Sequence, residues 1–197
     1  MKRKKNSIPP TKKGEMMSNA IWLADALRGA GCKVVDLAGW QARGRPGAFG
    51  PVKGVLCHHT AGPKTGNAPS LSIIVHGRAD LPGPLSHLHL ARDGTFTVIA
   101  AGRCNHAGAG MWHGIDSGNT NFIGVEAENA GDGTDPWPDV QVEAYAKACA
   151  AILKHVGAPA IMCVGHKEYA VPPGRKIDPS FNMTAFRAKV EAFMGAA

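Results

Sequence analysis

The sequence predicts an α/β fold, with a central mixed β-sheet flanked by helices in a single domain. Short apolar runs of strand length alternate along the chain with longer segments whose apolar residues recur at helical spacing. The 197 residues suit one domain, and a 44% hydrophobic fraction is enough to fill its core. The 25 Gly and 14 Pro imply many loops between these elements, and no internal repeat is present.

The elements follow in order. Ser18 is placed to cap a helix whose apolar positions are Ile21, Ala24, Leu27 and Ala30, ending at Gly29 to Gly31. Residues 36–51, rich in Gly and Arg, read as a loop. Val52 to His58 forms a mostly apolar strand that runs straight into His59-Thr60. Residues 60–84 are mainly loop, with an apolar patch at Leu71–Val75 that suits a helix. Arg92-Asp93-Gly94-Thr95 lies between the apolar runs Leu88–Ala91 and Phe96–Ala100 and predicts a hairpin, since Asp-Gly supplies positive φ. A polar stretch from Gly102 to Thr120 precedes a strand over 122–128. Val140 to Val156 is the clearest helix, with Val142, Tyr145, Cys149, Ile152 and Val156 on one face and Gly157 beyond its end. Ala160 to Val164 reads as a buried strand delivering Gly165-His166, and Thr184 to Met194 as a closing helix.

Composition excludes several function classes. No apolar run approaches the roughly 18 residues needed to span a bilayer, so the chain is not expected to be membrane-embedded. Nothing apolar follows Lys2-Arg3-Lys4-Lys5 as a signal peptide requires, so synthesis in the cytoplasm is expected. A target outside would then need a separate release route. The five Cys show no CxxC pair and read as reduced thiols. The net charge of +7 is uneven: residues 1–16 hold six Lys/Arg against one Glu, and the rest is nearly neutral. Residues 1–17 therefore read as a solvated basic arm, with Met17 as an alternative start. A near-neutral body without interleaved aromatic and basic residues argues against specific nucleic-acid binding. A monomer is expected.

The chemistry-bearing residues are placed at strand ends. His58 ends one strand, His166 follows another, and Asp178 lies in the loop after it. Strand ends are where a sheet presents groups to a cleft. Two imidazoles and a carboxylate would leave a fourth zinc position open, as catalytic sites require. Such spacing is long-range, however, and a single histidine at a strand end is more often a satisfied structural residue.

Five ordered motifs add more. They are Gly54 to Gly62 with His58-His59, then Ser86-His87 with Arg92-Asp93-Gly94, then Asn105-His106-Ala107-Gly108. Ile123-Gly124-Val125-Glu126 follows, and Gly165-His166 with Pro173 to Pro179 comes last. Together they resemble the N-acetylmuramoyl-L-alanine amidase and peptidoglycan-recognition superfamily over about residues 52–182, most closely the amidase domains of phage endolysins.

The resemblance implies zinc held by His58, His166 and Asp178, and hydrolysis of the amide between N-acetylmuramic acid and L-alanine in bacterial peptidoglycan. It implies Glu126 as the catalytic carboxylate, with Glu128 competing because strand alternation gives both the same face. Lys176 is implied as the cation that stabilises an oxyanion. His87 and His106 fall on motif positions lining the substrate cleft, His87 alternatively orienting a ligand. His59 and Cys163 read as structural, each turned away from the ligand face. Trp112 and Trp137 are candidates for stacking on substrate, with packing expected for at least one. The segment Lys167 to Ile177 is longer than usual for the family, which makes Tyr169 a candidate cleft residue. The rival readings are a non-catalytic peptidoglycan-binding module and a zinc peptidase acting on stem peptides.

Overall fold

The computed structural model describes residues 19–196; the basic arm at 1–17 and the Ser18 cap lie outside the described residues. A first helix, α1 (Leu23–Gly29), leads into an edge strand, β1 (Lys33–Asp36), which the sequence reading left unassigned. The site-bearing strand β2 (Gly54–His59) is followed by α2 (Leu71–His76) and a small hairpin of β3 (Gly77–Arg78) and β4 (Leu81–Pro82). Next come β5 (Leu88–Leu90) and β6 (Thr95–Val98), the predicted hairpin, with Gly94 at φ +81° in its turn. The short α3 (Gly118–Asn121) precedes β7 (Phe122–Ala127) and the long α4 (Asp139–Val156). The chain closes with β8 (Cys163–Gly165), one turn of α5 (His166–Tyr169) and α6 (Met183–Gly195).

Six strands form one mixed sheet in the order β1-β6-β5-β7-β2-β8. Only β5 and β6 pair antiparallel; the other neighbours run parallel. Every residue of β2 is buried, as expected for a strand covered on both faces. Helices α1 and α6 pack on α4, and α4 packs on β2. The core lies between them, with Leu27, Tyr145, Cys149, Ile152, Leu153 and Phe186 against Val55, Cys57 and Val125.

Two sequence expectations need correction. Ile21 does not face the core but is 60% exposed, because the helix begins only at Leu23. Ala20 fills that place, its N–H donating to the Ala101 carbonyl (2.7 Å). The strand expected from Ala160 starts at Cys163 instead, since Pro159 opens a 3-10 turn over Ala160–Met162. The cap at Gly157 is as read, in the left-handed region at φ +68°.

One side chain ties the helical layer to the sheet at a critical place. The Tyr145 hydroxyl accepts from the His58 N–H (3.0 Å) and donates to the Val125 carbonyl (2.9 Å), bridging β2 and β7. Tyr145→Phe leaves a buried N–H without that acceptor and is expected to destabilise the fold by about 1–3 kcal/mol. Urea unfolding checks this; an unchanged midpoint would remove the bridge from the stability argument.

Candidate active site

The register of three parallel strands assembles the site. His58 pairs with Glu126 across β2 and β7, and Cys57 pairs with Gly165 across β2 and β8. The next residue after each of that pair, His58 on β2 and His166 at the start of α5, comes to lie beside the other. Asp178 comes from the loop beyond α5, where its carbonyl accepts from the Lys167 N–H (2.7 Å).

Three ligand atoms converge. Nδ1 of His58, Nδ1 of His166 and Oδ2 of Asp178 are each 3.0 Å from the other two. His166 Nε2 lies 2.9 Å from the Ala107 carbonyl, which only accepts, so that nitrogen carries the hydrogen and Nδ1 is bare. When His58 donates from Nε2 to Nδ1 of His106 (3.2 Å), its own Nδ1 is bare too. Three lone pairs then meet with no hydrogen between them, a donor set suited to a cation. A tetrahedral zinc site with bonds of about 2.0–2.1 Å has edges of about 3.3 Å, close to the observed spacing. Burial, and then the charge of His166, lowers the His58 pKa to about 4, favouring the neutral imidazole that a metal requires.

These residues form the floor of a cleft of about 470 Å³. Glu126 lines it, with Oε1 4.0 Å from His58 Nδ1 and Oε2 buried without a hydrogen-bond partner. Burial raises its pKa well above the ordinary value, and the Asp178 charge adds to this while Lys176 opposes it. Glu128 lies one residue beyond the strand and is fully buried. Its carboxylate accepts from His89 Nε2 (2.8 Å), the Ser70 N–H (2.7 Å) and hydroxyl (2.9 Å), and the Thr60 hydroxyl (3.0 Å). The two carboxylates the sequence left in competition thus have different surroundings: Glu126 faces the cleft and Glu128 clamps the loops beside it.

His106 lines the cleft with Nε2 unpartnered, and its ring rests on Gly124, where a Cβ would come within 2.7 Å. His87 is 0% exposed beneath it and does not reach the cleft. The expectation that His87 touches substrate is therefore corrected: its Nδ1 accepts from the Gly124 N–H (2.9 Å), fixing the strand under His106. Lys176 and Arg175 border the cleft, although Arg175 also donates to the carbonyls of Val171 (3.0 Å) and Ala109. Tyr169 is not a cleft residue. Its buried hydroxyl donates to the Asp116 carbonyl (2.7 Å) and accepts from the Gly118 N–H (2.9 Å). The Trp112 indole donates to Ile161 and Trp137 packs on Phe181, both outside the cleft.

The sequence reading missed Arg78, on the β3–β4 hairpin, together with Ala61, Leu81, Leu85 and Ala130, all of which line the cleft. No local signal marked them, because their stretch reads as loop.

The fold and site define a cleft enzyme with three clustered side chains able to hold a metal ion, and comparison with known proteins supplies the lineage. The family model described as N-acetylmuramoyl-L-alanine amidase matches residues 48–181, and the chain belongs to this family. Among solved structures, the N-acetylmuramyl-L-alanine amidase AmiD from E. coli was determined with anhydro-N-acetylmuramic acid-L-Ala-D-γ-Glu-L-Lys. It superposes with a TM-score of 0.56 at 22% identity, over 75% of this chain and 60% of that one. The chain therefore spans three fifths of the AmiD chain. The amidase LysC from Clostridium intestinale superposes with a TM-score of 0.61 at 16% identity, over 81% of this chain and 97% of that one. At these identities the likeness is one of fold. A search of curated protein sequences returns no significant match.

The cleft wall rests on an ion pair. Asp135 accepts from Arg92 twice (3.0 and 2.8 Å) and from the Ala130 N–H (2.7 Å), while Arg92 also donates to the Pro63 carbonyl (3.0 Å). Burial would raise the Asp135 pKa, but the Arg92 and Ala130 bonds lower it below the usual value. A depressed folded-state pKa adds stability above the unfolded pKa of about 4, lost as pH falls through the folded value. The stability gap between wild type and Asp135→Asn is accordingly expected to be widest near neutral pH and to close below about pH 4. Urea unfolding of metal-free protein at stepped pH reads it, and a gap independent of pH would remove the charge from the explanation.

Proposed function

We propose that this chain hydrolyses the amide bond between N-acetylmuramic acid and L-alanine in bacterial peptidoglycan, with zinc held by His58, His166 and Asp178. The observation that carries this reading is the convergence of three bare ligand atoms at 3.0 Å spacing beneath a cleft lined by a carboxylate with a free oxygen. Family membership supplies the bond class, and the muropeptide bound to AmiD supplies the substrate's form.

When bound, zinc would supply a Lewis acid that polarises the scissile carbonyl and brings water's pKa to about 7. The remaining chemistry belongs to the chain. Glu126 takes the proton from the attacking water on its unpartnered Oε2 and returns it to the departing L-alanine nitrogen. Lys176, at the cleft edge, offsets the negative charge that develops on the carbonyl oxygen. His106 accepts from His58 through Nδ1, so its Nε2–H is free to donate to the substrate. His87 holds the strand on which His106 rests. A role as a phage or prophage endolysin fits the likeness to the endolysin amidase LysCS from Clostridium intestinale.

Two experiments test the assignment. Alanine at His58, His166 or Asp178 is expected to abolish stoichiometric zinc in dialysed protein, read by elemental analysis; zinc retained by all three variants would sink the ligand set. Glu126→Gln is expected to keep zinc and lose at least about 100-fold in the rate of stem-peptide release from purified peptidoglycan. The wild-type digest should expose new N-terminal L-alanine. New termini only within the peptide would make the enzyme a peptidase, and an unaffected Glu126→Gln rate would exclude Glu126 as the base.

A further inference from the structure

On the opposite face of β2 from His58, three thiols meet. Cys57 of β2, Cys149 of α4 and Cys163 of β8 are fully buried, with Cys57 Sγ 3.9 Å from Cys149 Sγ and 3.6 Å from Cys163 Sγ. All three sulfurs lie within 4.8 Å of one another, and none takes part in the proposed reaction.

The strand register argues against a disulfide between the closest pair. Val55 pairs with Cys163 and Cys57 with Gly165, so Cys57 and Cys163 are offset by two residues on adjacent strands. Strand spacing and rise put their Cα atoms about 8 Å apart, beyond the roughly 7 Å that a disulfide spans. An atom seated between the sulfurs meets no such limit. Bonds of about 2.3 Å to a shared centre give sulfur separations of about 3.8–4.0 Å, close to those observed.

The surroundings select what that atom is. Zinc completes its coordination with a fourth protein ligand or a water, and this group offers three ligands in a core closed to solvent. Three thiolates around a monovalent or divalent metal also leave net negative charge in a dry core, which is costly. We propose that Cys57, Cys149 and Cys163 form a binding site for a trivalent thiophile of the arsenite class. With As(OH)3, three As–S bonds form and three As–O bonds break. The three thiol hydrogens leave with the hydroxyls as three waters. Arsenic stays trivalent and the product is neutral. The proposal requires entry by local opening at β8, a three-residue strand at the sheet edge.

The test adds arsenite to folded, zinc-loaded protein and reads adducts by intact mass. The expected product carries one arsenic atom and lacks three hydrogens. Cys149→Ala weakens binding about tenfold or more, because the third thiol no longer acts at high effective concentration. Cys104→Ala, at a buried thiol remote from the cluster, leaves binding unchanged. X-ray absorption of the wild-type adduct needs no core substitution and should find three sulfur neighbours around arsenic. No adduct on the folded protein, full affinity in a folded Cys149→Ala variant, or fewer than three sulfurs around arsenic would overturn the proposal.

Discussion

The parallel pairing of β2 with β7 is the constraint on which the rest depends. It sets His58 level with Glu126, and the pairing of β2 with β8 carries the same alignment on to His166. Because side chains alternate faces, a slip of one residue would turn His58 into the thiol-lined core and bring Cys57 to the cleft. The molecule guards this register from both sides. Tyr145 bridges His58 and Val125 from the helical layer, and His87 holds the Gly124 N–H from the cleft side. Gly124 lacks a side chain because the His106 ring occupies the space a Cβ would need.

Beta-strand β2 therefore separates two environments one residue apart. Cys57 lies among apolar side chains and two other thiols, whereas His58 faces polar ligands and an open cleft. The buried polar groups on the cleft side are tolerated because most have partners. Glu128 accepts four hydrogen bonds and Asp135 three, and through them the loops around residues 60–70 and 129–136 are held as cleft walls. The exceptions within the cleft lining are informative: Oε2 of Glu126, Nε2 of His106 and Nδ1 of His59, the last on a residue whose sequence reading turned it away from this face, are buried and unpartnered. A native structure seldom leaves such atoms idle.

Much of this was legible in the sequence. Apolar strand runs and the helical period of Val140 to Val156 are local signals, and the elements they mark stand close to where they were read. Ordered motifs brought His58, His166, Asp178 and Glu126 into view because all but Asp178 sit on or just after a strand whose sequence is distinctive, and Asp178 lies in a motif of its own. Two failures are local, at the start of α1 and at the turn after Pro159, and the rest are long-range. Ile21 matched a helical period but preceded the helix, and the mostly exposed β1 is a strand because it pairs with β6, about 60 residues later. His87 carried a cleft motif yet lies one layer too deep, which only the packing of His106 and Phe49 over it reveals. The thiol cluster was equally invisible, since its members are 92 and 106 residues apart in the chain.

Strand parity gave Glu126 and Glu128 equal standing, and it is their partners that divide them. A carboxylate that accepts from His89, Ser70 and Thr60 has its negative charge fully compensated, so its pKa is lowered despite burial. Such a group is a poor base, because taking a proton would cost it those bonds. A carboxylate buried against Asp178 with one oxygen unpartnered has the opposite character, its pKa raised and its lone pairs free. The same side chain two residues apart thus serves as anchor in one place and as a candidate proton carrier in the other. The difference arises from the loops that close over Glu128 and leave Glu126 open to the cleft.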